Sequence, residues 1–212
     1  SSGNIYIADS KNHRIMKWAP GATEGTVVAG GNGWGSANNQ LSTPTDVYVD
    51  SLGNIYIGDS ENNRVVKWVP GASEGTIVAG GNGQGSNNNQ LQYPTYLVVD
   101  SLGNIYVSDN NNQRVMKWVP DSIEGTVVAG GNDLGSENNQ LKNPNGLALD
   151  SSGNLYVADS GNNRIMKWPN GAPEGTVVAG GNGAESNNNQ LSNPSEIDID
   201  SSGNIYIADY YN

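Results

Sequence analysis

His13 is the only histidine in the 212 residues, and cysteine is absent. A catalytic zinc takes several His, Cys or carboxylate ligands around one open position, so a lone imidazole without thiolates leaves such a centre short of donors. A Ser-His-Asp triad would have to pass through the same His13, and no nucleophile elbow, a serine on a strand-to-helix turn, is present. Carboxylates are far more plentiful. Asp9, Asp59, Asp109, Asp159 and Asp209 recur, the first four with an Asn and an Arg close behind. Such a group can ligate a cation, or it can cap turn amides and pair with the Arg. The second role is the expected one, because Asx side chains take it so readily.

Other sites for chemistry repeat as well. The Asp-Ser-x-Gly-Asn turns at Asp50, Asp100, Asp150 and Asp200 lack the alternating acidic ligands and distal Glu of a calcium loop, so plain hairpins are expected. Gly30, Gly31 and Gly33 could cradle phosphate, but no helix follows and no Lys-Ser/Thr pair sits beside them, which leaves them as loop glycines. Trp18, Trp68, Trp118 and Trp168 each follow a Lys and could form a ligand platform. Packing between sheets is the expected use of large aromatics at such positions. Trp34 stands apart: it occurs once, in a loop that reads as mobile.

The elements that must position these residues follow from one observation. Shifted by fifty residues, the chain matches itself without a gap: Gly-Asn-Ile-Tyr-Ile at Gly3 returns at Gly53 and Gly203, and with conservative changes at Gly103 and Gly153. A period of that length is the mark of a propeller or a solenoid, in which each unit buries its apolar faces only against its neighbours. Short β-branched and aromatic runs predict strands at 46–50, 54–58, 64–68 and 76–79, with a tight hairpin at Ser51-Leu52-Gly53 and a turn at Pro70-Gly71. No run has helical length or spacing, which excludes helical solenoids. Four antiparallel strands per unit make a propeller blade.

The pattern Gly-Asn-Ile-Tyr-Ile-Ala-Asp-Ser-x-Asn-His-Arg-Ile at residues 3–15 resembles the NHL repeat, and the resemblance runs the length of the chain. It implies an all-β propeller of four-stranded antiparallel blades. About four and a quarter repeats are present: 1–50, 51–100, 101–150, 151–200 and a partial 201–212. They read as a single array and, because the family closes with more blades than this, as a fragment of a larger ring. A four-blade ring with a spare strand, or chains completing one another's blades, are the alternatives. The family includes scaffolds, RNA-binding regulators and amidating lyases, so the resemblance does not choose a function.

Charge narrows the partners. The net charge is −11 and the pI about 4.3, which repels nucleic-acid phosphate and anionic membrane surfaces. No apolar run approaches the ~18 residues of a membrane span, no charged-then-apolar leader opens the sequence, and no Asn-x-Ser/Thr sequon occurs. The compartment is unassigned, with extracellular or cell-surface display the favoured setting.

On a propeller a ligand site is expected near the axis, so residues present in every repeat belong to the blade and exceptions carry the function. The loop after the second strand and the loop before the first share one face, and both vary: Lys11, Glu61, Asn111, Gly161 in one; Ser42, Gln92, Lys142, Ser192 in the other. His13 stands where Asn63, Gln113 and Asn163 stand, and reads as a polar surface variant. The variable positives are only Lys11 and Lys142 against eight variable acids. Asp46, Tyr48, Tyr93, Tyr96, Glu196 and Asp198 are the expected binding residues. The expectation is a non-catalytic binding or scaffold module for a protein, peptide or glycan, with no catalytic residue, metal or cofactor and no nucleic-acid or membrane partner. A metal-dependent lyase or hydrolase is the runner-up, and RNA binding would need a basic face.

Overall fold

The structure, a computed structural model, describes residues 3–212. Its strands, in chain order, are β1 (Ile5–Asp9), β2 (Arg14–Trp18), β3 (Thr26–Gly30), β4 (Pro44–Val49), β5 (Ile55–Asp59), β6 (Arg64–Trp68), β7 (Thr76–Gly80) and β8 (Pro94–Val99). There follow β9 (Ile105–Asp109), β10 (Arg114–Trp118), β11 (Thr126–Gly130), β12 (Pro144–Leu149), β13 (Leu155–Asp159), β14 (Arg164–Trp168), β15 (Thr176–Gly180), β16 (Pro194–Ile199) and β17 (Ile205–Asp209). Antiparallel pairing of sequence neighbours gives the sheets β1-β2-β3, β4-β5-β6-β7, β8-β9-β10-β11, β12-β13-β14-β15 and β16-β17. The chain forms two compact units: one runs through Leu97 and adds Pro120–Glu124, the other holds Val98–Val119 and Gly125–Asn212.

The expected strands are all present, with edges moved by the turn chemistry. The sequence puts Asp50 and Asn54 in strands, yet both belong to the hairpin between β4 and β5. Asp50 Oδ1 accepts from the amides of Leu52 (3.0 Å) and Asn54 (2.8 Å), while Oδ2 accepts from Asn54 Nδ2 at 2.7 Å. Gly53 takes the left-handed conformation (φ 82°) that closes the turn. Asp100, Asp150 and Asp200 repeat these bonds. Burial alone would raise the Asp100 and Asp150 carboxyls, but the bonds from Asn104 and Leu102, and from Asn154 and Ser152, outweigh it and hold both below the usual carboxylate range. The hairpin reading of these turns stands.

The second strands β5, β9 and β13 are buried along their whole length, on both faces, whereas β1 and β17 are partly exposed. In the first unit the core gathers Ile15, Leu41, Ile57, Val66 and Trp68. In the second, Ala158, Ile165 and Ile197 pack with Tyr156. Trp68, Trp118 and Trp168 are at most 2% exposed, so they pack sheets rather than present a ligand platform. A glycine lies flat on each ring; a Cβ at Gly75 would come within 2.5 Å of the Trp68 indole.

The recurrent Asp-Asn-Arg trio is the polar counterpart of this packing. Asp59 Oδ2 accepts from Arg64 Nε (2.7 Å) and Asn62 Nδ2 (2.8 Å), and Oδ1 accepts from the Ser42 amide at 2.6 Å. Its side chain is fully buried and that of Arg64 is 5% exposed, whereas the Asp9–Arg14 pair stands partly in solvent. Burial pushes the Asp59 carboxyl up, and these three bonds oppose it. Removing one member of a buried, hydrogen-bonded ion pair strands the other. Asp59→Ala should therefore lower unfolding free energy by about 3–5 kcal/mol, while Asp9→Ala should have a small effect. Urea denaturation of both variants checks this; equal losses would contradict it.

Candidate functional site

The Asp of the trio also ties together two variable loops, as at Asp59 and Asp159. After β5 a single 3₁₀ turn, Ser60–Asn62, ends on Asn63 in the left-handed region. The Glu61 amide donates to Ser42 O at 3.4 Å as the Ser42 amide meets Asp59. In the second unit Lys142 and Gly161 repeat the arrangement, Lys142 N donating to Asp159 Oδ1 at 2.7 Å and Gly161 N to Lys142 O at 2.9 Å. In each unit a variable loop pair is thus held by backbone bonds to residues of the repeat.

His13 proves to be part of that fixing rather than a surface variant. It occupies the left-handed position (φ 52°), and its Nδ1 accepts from the Thr43 amide at 3.1 Å. Asn63 Oδ1 does the same for Tyr93 (2.9 Å), Gln113 Oε1 for Asn143 (2.7 Å) and Asn163 Oδ1 for Asn193 (2.8 Å). One imidazole, one longer amide and two shorter ones share a single role, which is to accept the amide of the residue before the proline that opens the next first strand.

The expected binding residues divide between the units. The first holds Asp46, Tyr48, Tyr93 and Tyr96. Asp46 Oδ1 accepts from Val47 N and Oδ2 from Leu97 N, each at 2.8 Å, so this carboxylate ties β4 to β8 beside Tyr96. Tyr48 is half-buried, edge-on to Tyr56 with centroids 6.3 Å apart. Tyr96 is also half-buried, and Tyr93 is 40% exposed. The second unit holds Glu196 and Asp198, both exposed on β16, with Asp198 Oδ1 accepting from Ile199 N. Gly146, the counterpart of Asp46 in β12, departs from the pattern for packing reasons: a Cβ there would sit 2.6 Å from Glu196 Cα.

A second group of residues from variable positions converges in the first unit. Glu61 Oε2 accepts from the Ser42 hydroxyl (2.6 Å) and from Trp34 Nε1 (3.3 Å). These bonds, the Ser42 one foremost, hold the Glu61 carboxyl below its ordinary value. The loop carrying Trp34 is anchored, contrary to the mobile reading. Arg64 donates to the carbonyls of Ser36 (2.8 Å), Ala37 (3.2 Å) and Gln40 (3.1 Å), and Asn62 Nδ2 donates to Gly35 O at 2.9 Å. The sequence does carry a signal for this group, since Trp34 and Glu61 occur once at their repeat positions and Ser42 stands at a variable one. Among the described residues, no three His, Cys, Asp or Glu side chains converge as metal ligands.

Four-stranded antiparallel sheets in a fifty-residue repeat define the β-propeller class. A chain of the nidogen/laminin complex matches with a TM-score of 0.73 at 21% identity, over 99% of this chain and 69% of its own length. A gluconolactonase from Xanthomonas campestris gives 0.67 at 14%, over 98% and 66%. A catalytically inactive virginiamycin B lyase from Staphylococcus aureus, solved with quinupristin, gives 0.62 at 14%, over 100% and 61%. The chain thus spans roughly two thirds of each, and at these identities the likeness is one of fold. No curated protein sequence matches. The NHL repeat matches residues 41–68, 91–118 and 141–168. The chain thus carries three stretches that match the NHL repeat, in a fold of the β-propeller class.

The equivalence of His13 to its amide counterparts is directly testable. His13→Asn should leave the melting temperature unchanged, since Asn63 and Asn163 already fill the role. His13→Leu should cost about 1–3 kcal/mol by stranding the Thr43 amide. Thermal melts of the two variants decide; equal destabilisation by Asn would contradict the assignment.

Proposed function

We propose that the chain is a non-catalytic binding or scaffold module whose variable loops present acids and aromatics to a protein, peptide or glycan. The observation that carries this reading is how the polar groups are used. The recurrent aspartates are consumed by turns and ion pairs, as at Asp50 and Asp59. Among the exposed departures from the repeat, Tyr93 stands in the loop before β8 in the first unit, and Glu196 and Asp198 stand on β16 in the second. Exposed, variable positions on a rigid frame are where repeat scaffolds carry recognition. The nidogen/laminin complex contains a chain of this fold in a protein assembly, which suits a protein partner. Asp46 contributes by positioning β8, and Tyr48 and Tyr96 by shaping the surface beside it.

The lyase and lactonase of similar fold make catalysis the competing reading. Neither the single His13 nor the consumed aspartates furnish it with an acid, base or ligand set. The test is an array of synthetic peptides and glycans probed with the intact chain. Tyr93→Ala, Tyr96→Ala and Glu196→Gln together should weaken the strongest hit at least about tenfold, with the melting temperature kept within a few degrees. An unchanged hit would overturn the assignment of these residues, and turnover of quinupristin or gluconolactone would overturn the non-catalytic reading.

A further inference from the structure

Trp34 is 67% exposed, yet nothing around it is loose. Its backbone bridges to Leu41, which is fully buried, and its loop is pinned by Arg64 and Asn62 from the next blade. The indole N–H is committed to Glu61, whose carboxylate also holds the Ser42 hydroxyl. The corner therefore offers a rigid aromatic face beside an anionic group, with little ordering left to do on binding.

The fold does not require this combination. In the second unit the same corner carries Leu134 in place of Trp34, Lys142 in place of Ser42 and Gly161 in place of Glu61. The frame is nonetheless identical: Leu134 bridges Leu141, Asn162 donates to Gly135 O, and Arg164 donates to the carbonyls of Ser136, Glu137 and Gln140. In sequence the remaining corners hold Gln84 with Asn111 and Ala184 with Tyr211. Only the corner of Trp34 joins an indole to a carboxylate.

An indole face attracts a cation through its quadrupole, and a neighbouring carboxylate accepts the cation's N–H groups. A carboxylate has about four lone-pair sites; Ser42 and Trp34 occupy two on Oε2, with a weaker share going to Thr43. A planar guanidinium suits such a corner better than a compact ammonium, because it stacks on a ring while its edge meets an acid. The net charge of −11 draws basic partners toward the chain. We propose that the Trp34–Glu61 corner is an anchor site for an arginine side chain of a basic peptide partner. This deepens the binding-module reading and rests on it.

The test follows the Trp34 indole N–H by NMR while the intact chain is titrated with the peptide acetyl-Gly-Arg-Gly-amide. The neutral isostere, with citrulline in place of arginine, is the control. The arginine peptide should shift the resonance and saturate. The citrulline peptide should bind about tenfold or more weakly, and Glu61→Gln should weaken arginine binding by a similar factor, since each removes one member of the charge pair. Trp34→Leu, which installs the residue already tolerated at position 134, should abolish the arginine-dependent shifts of the surrounding amides while leaving the melting temperature in place. Equal responses to arginine and citrulline would overturn the proposal, as would undiminished binding in Glu61→Gln, or a response to maltotriose with none to arginine. Should arginine be ignored while the arrayed hit still depends on Tyr93, Tyr96 and Glu196, this inference fails and the binding-module reading survives; loss of both dependences removes both.

Discussion

The structure depends on a buried guanidinium. A buried ion pair by itself is close to energetically neutral, because removing two charges from water cancels most of their attraction. Arg64 is different because its donors are shared out: Nε to Asp59, and the two terminal nitrogens to three carbonyls of the loop that precedes it by more than twenty residues. Asp59 in turn takes an amide from Ser42 and a side-chain donor from Asn62. The same set recurs around Arg164 and Asp159. One charged group thus satisfies the polar groups of a strand end, a 3₁₀ turn and the loop of the preceding blade, in a setting where any unpaired member would be costly.

That arrangement separates stability from recognition. Because the loop backbones are fixed by residues present in each repeat, the side chains they carry can change freely, which is how solenoids and propellers diversify a binding face. Trp34 beside Glu61, Leu134 at the corner of Gly161, and Tyr93 with its amide held by Asn63 are different contents on one frame. The fold alone leaves function open, since a nidogen/laminin chain, a lyase and a lactonase share it. Its single-copy chemistry is what distinguishes this chain.

Much of this is legible in the sequence, and the failures have a common cause. Strand positions, hairpins and the buried tryptophans follow from local propensity and a fixed period, and they stand where the residues put them. The bounds shift only where a side chain captures the backbone, as Asp50 does to Asn54. Contacts across the repeat are not legible. Glycine and asparagine make the Trp34 loop look mobile, whereas Arg64, distant in sequence, holds it. Asp46 reads as a surface acid because its partner, the Leu97 amide, lies 51 residues away.

The central claim, that Arg64 orders the loop carrying Trp34, is best tested by hydrogen exchange on Arg64→Lys. Lysine keeps the charge facing Asp59 but lacks the fork that reaches three carbonyls. The amides of Gly35 and Gln40, bonded to Leu41 O and Ala37 O, should lose protection, while those of Val65 and Val66 in β6 keep theirs. Unchanged protection at Gly35 and Gln40, or a uniform loss across the blade, would contradict the account.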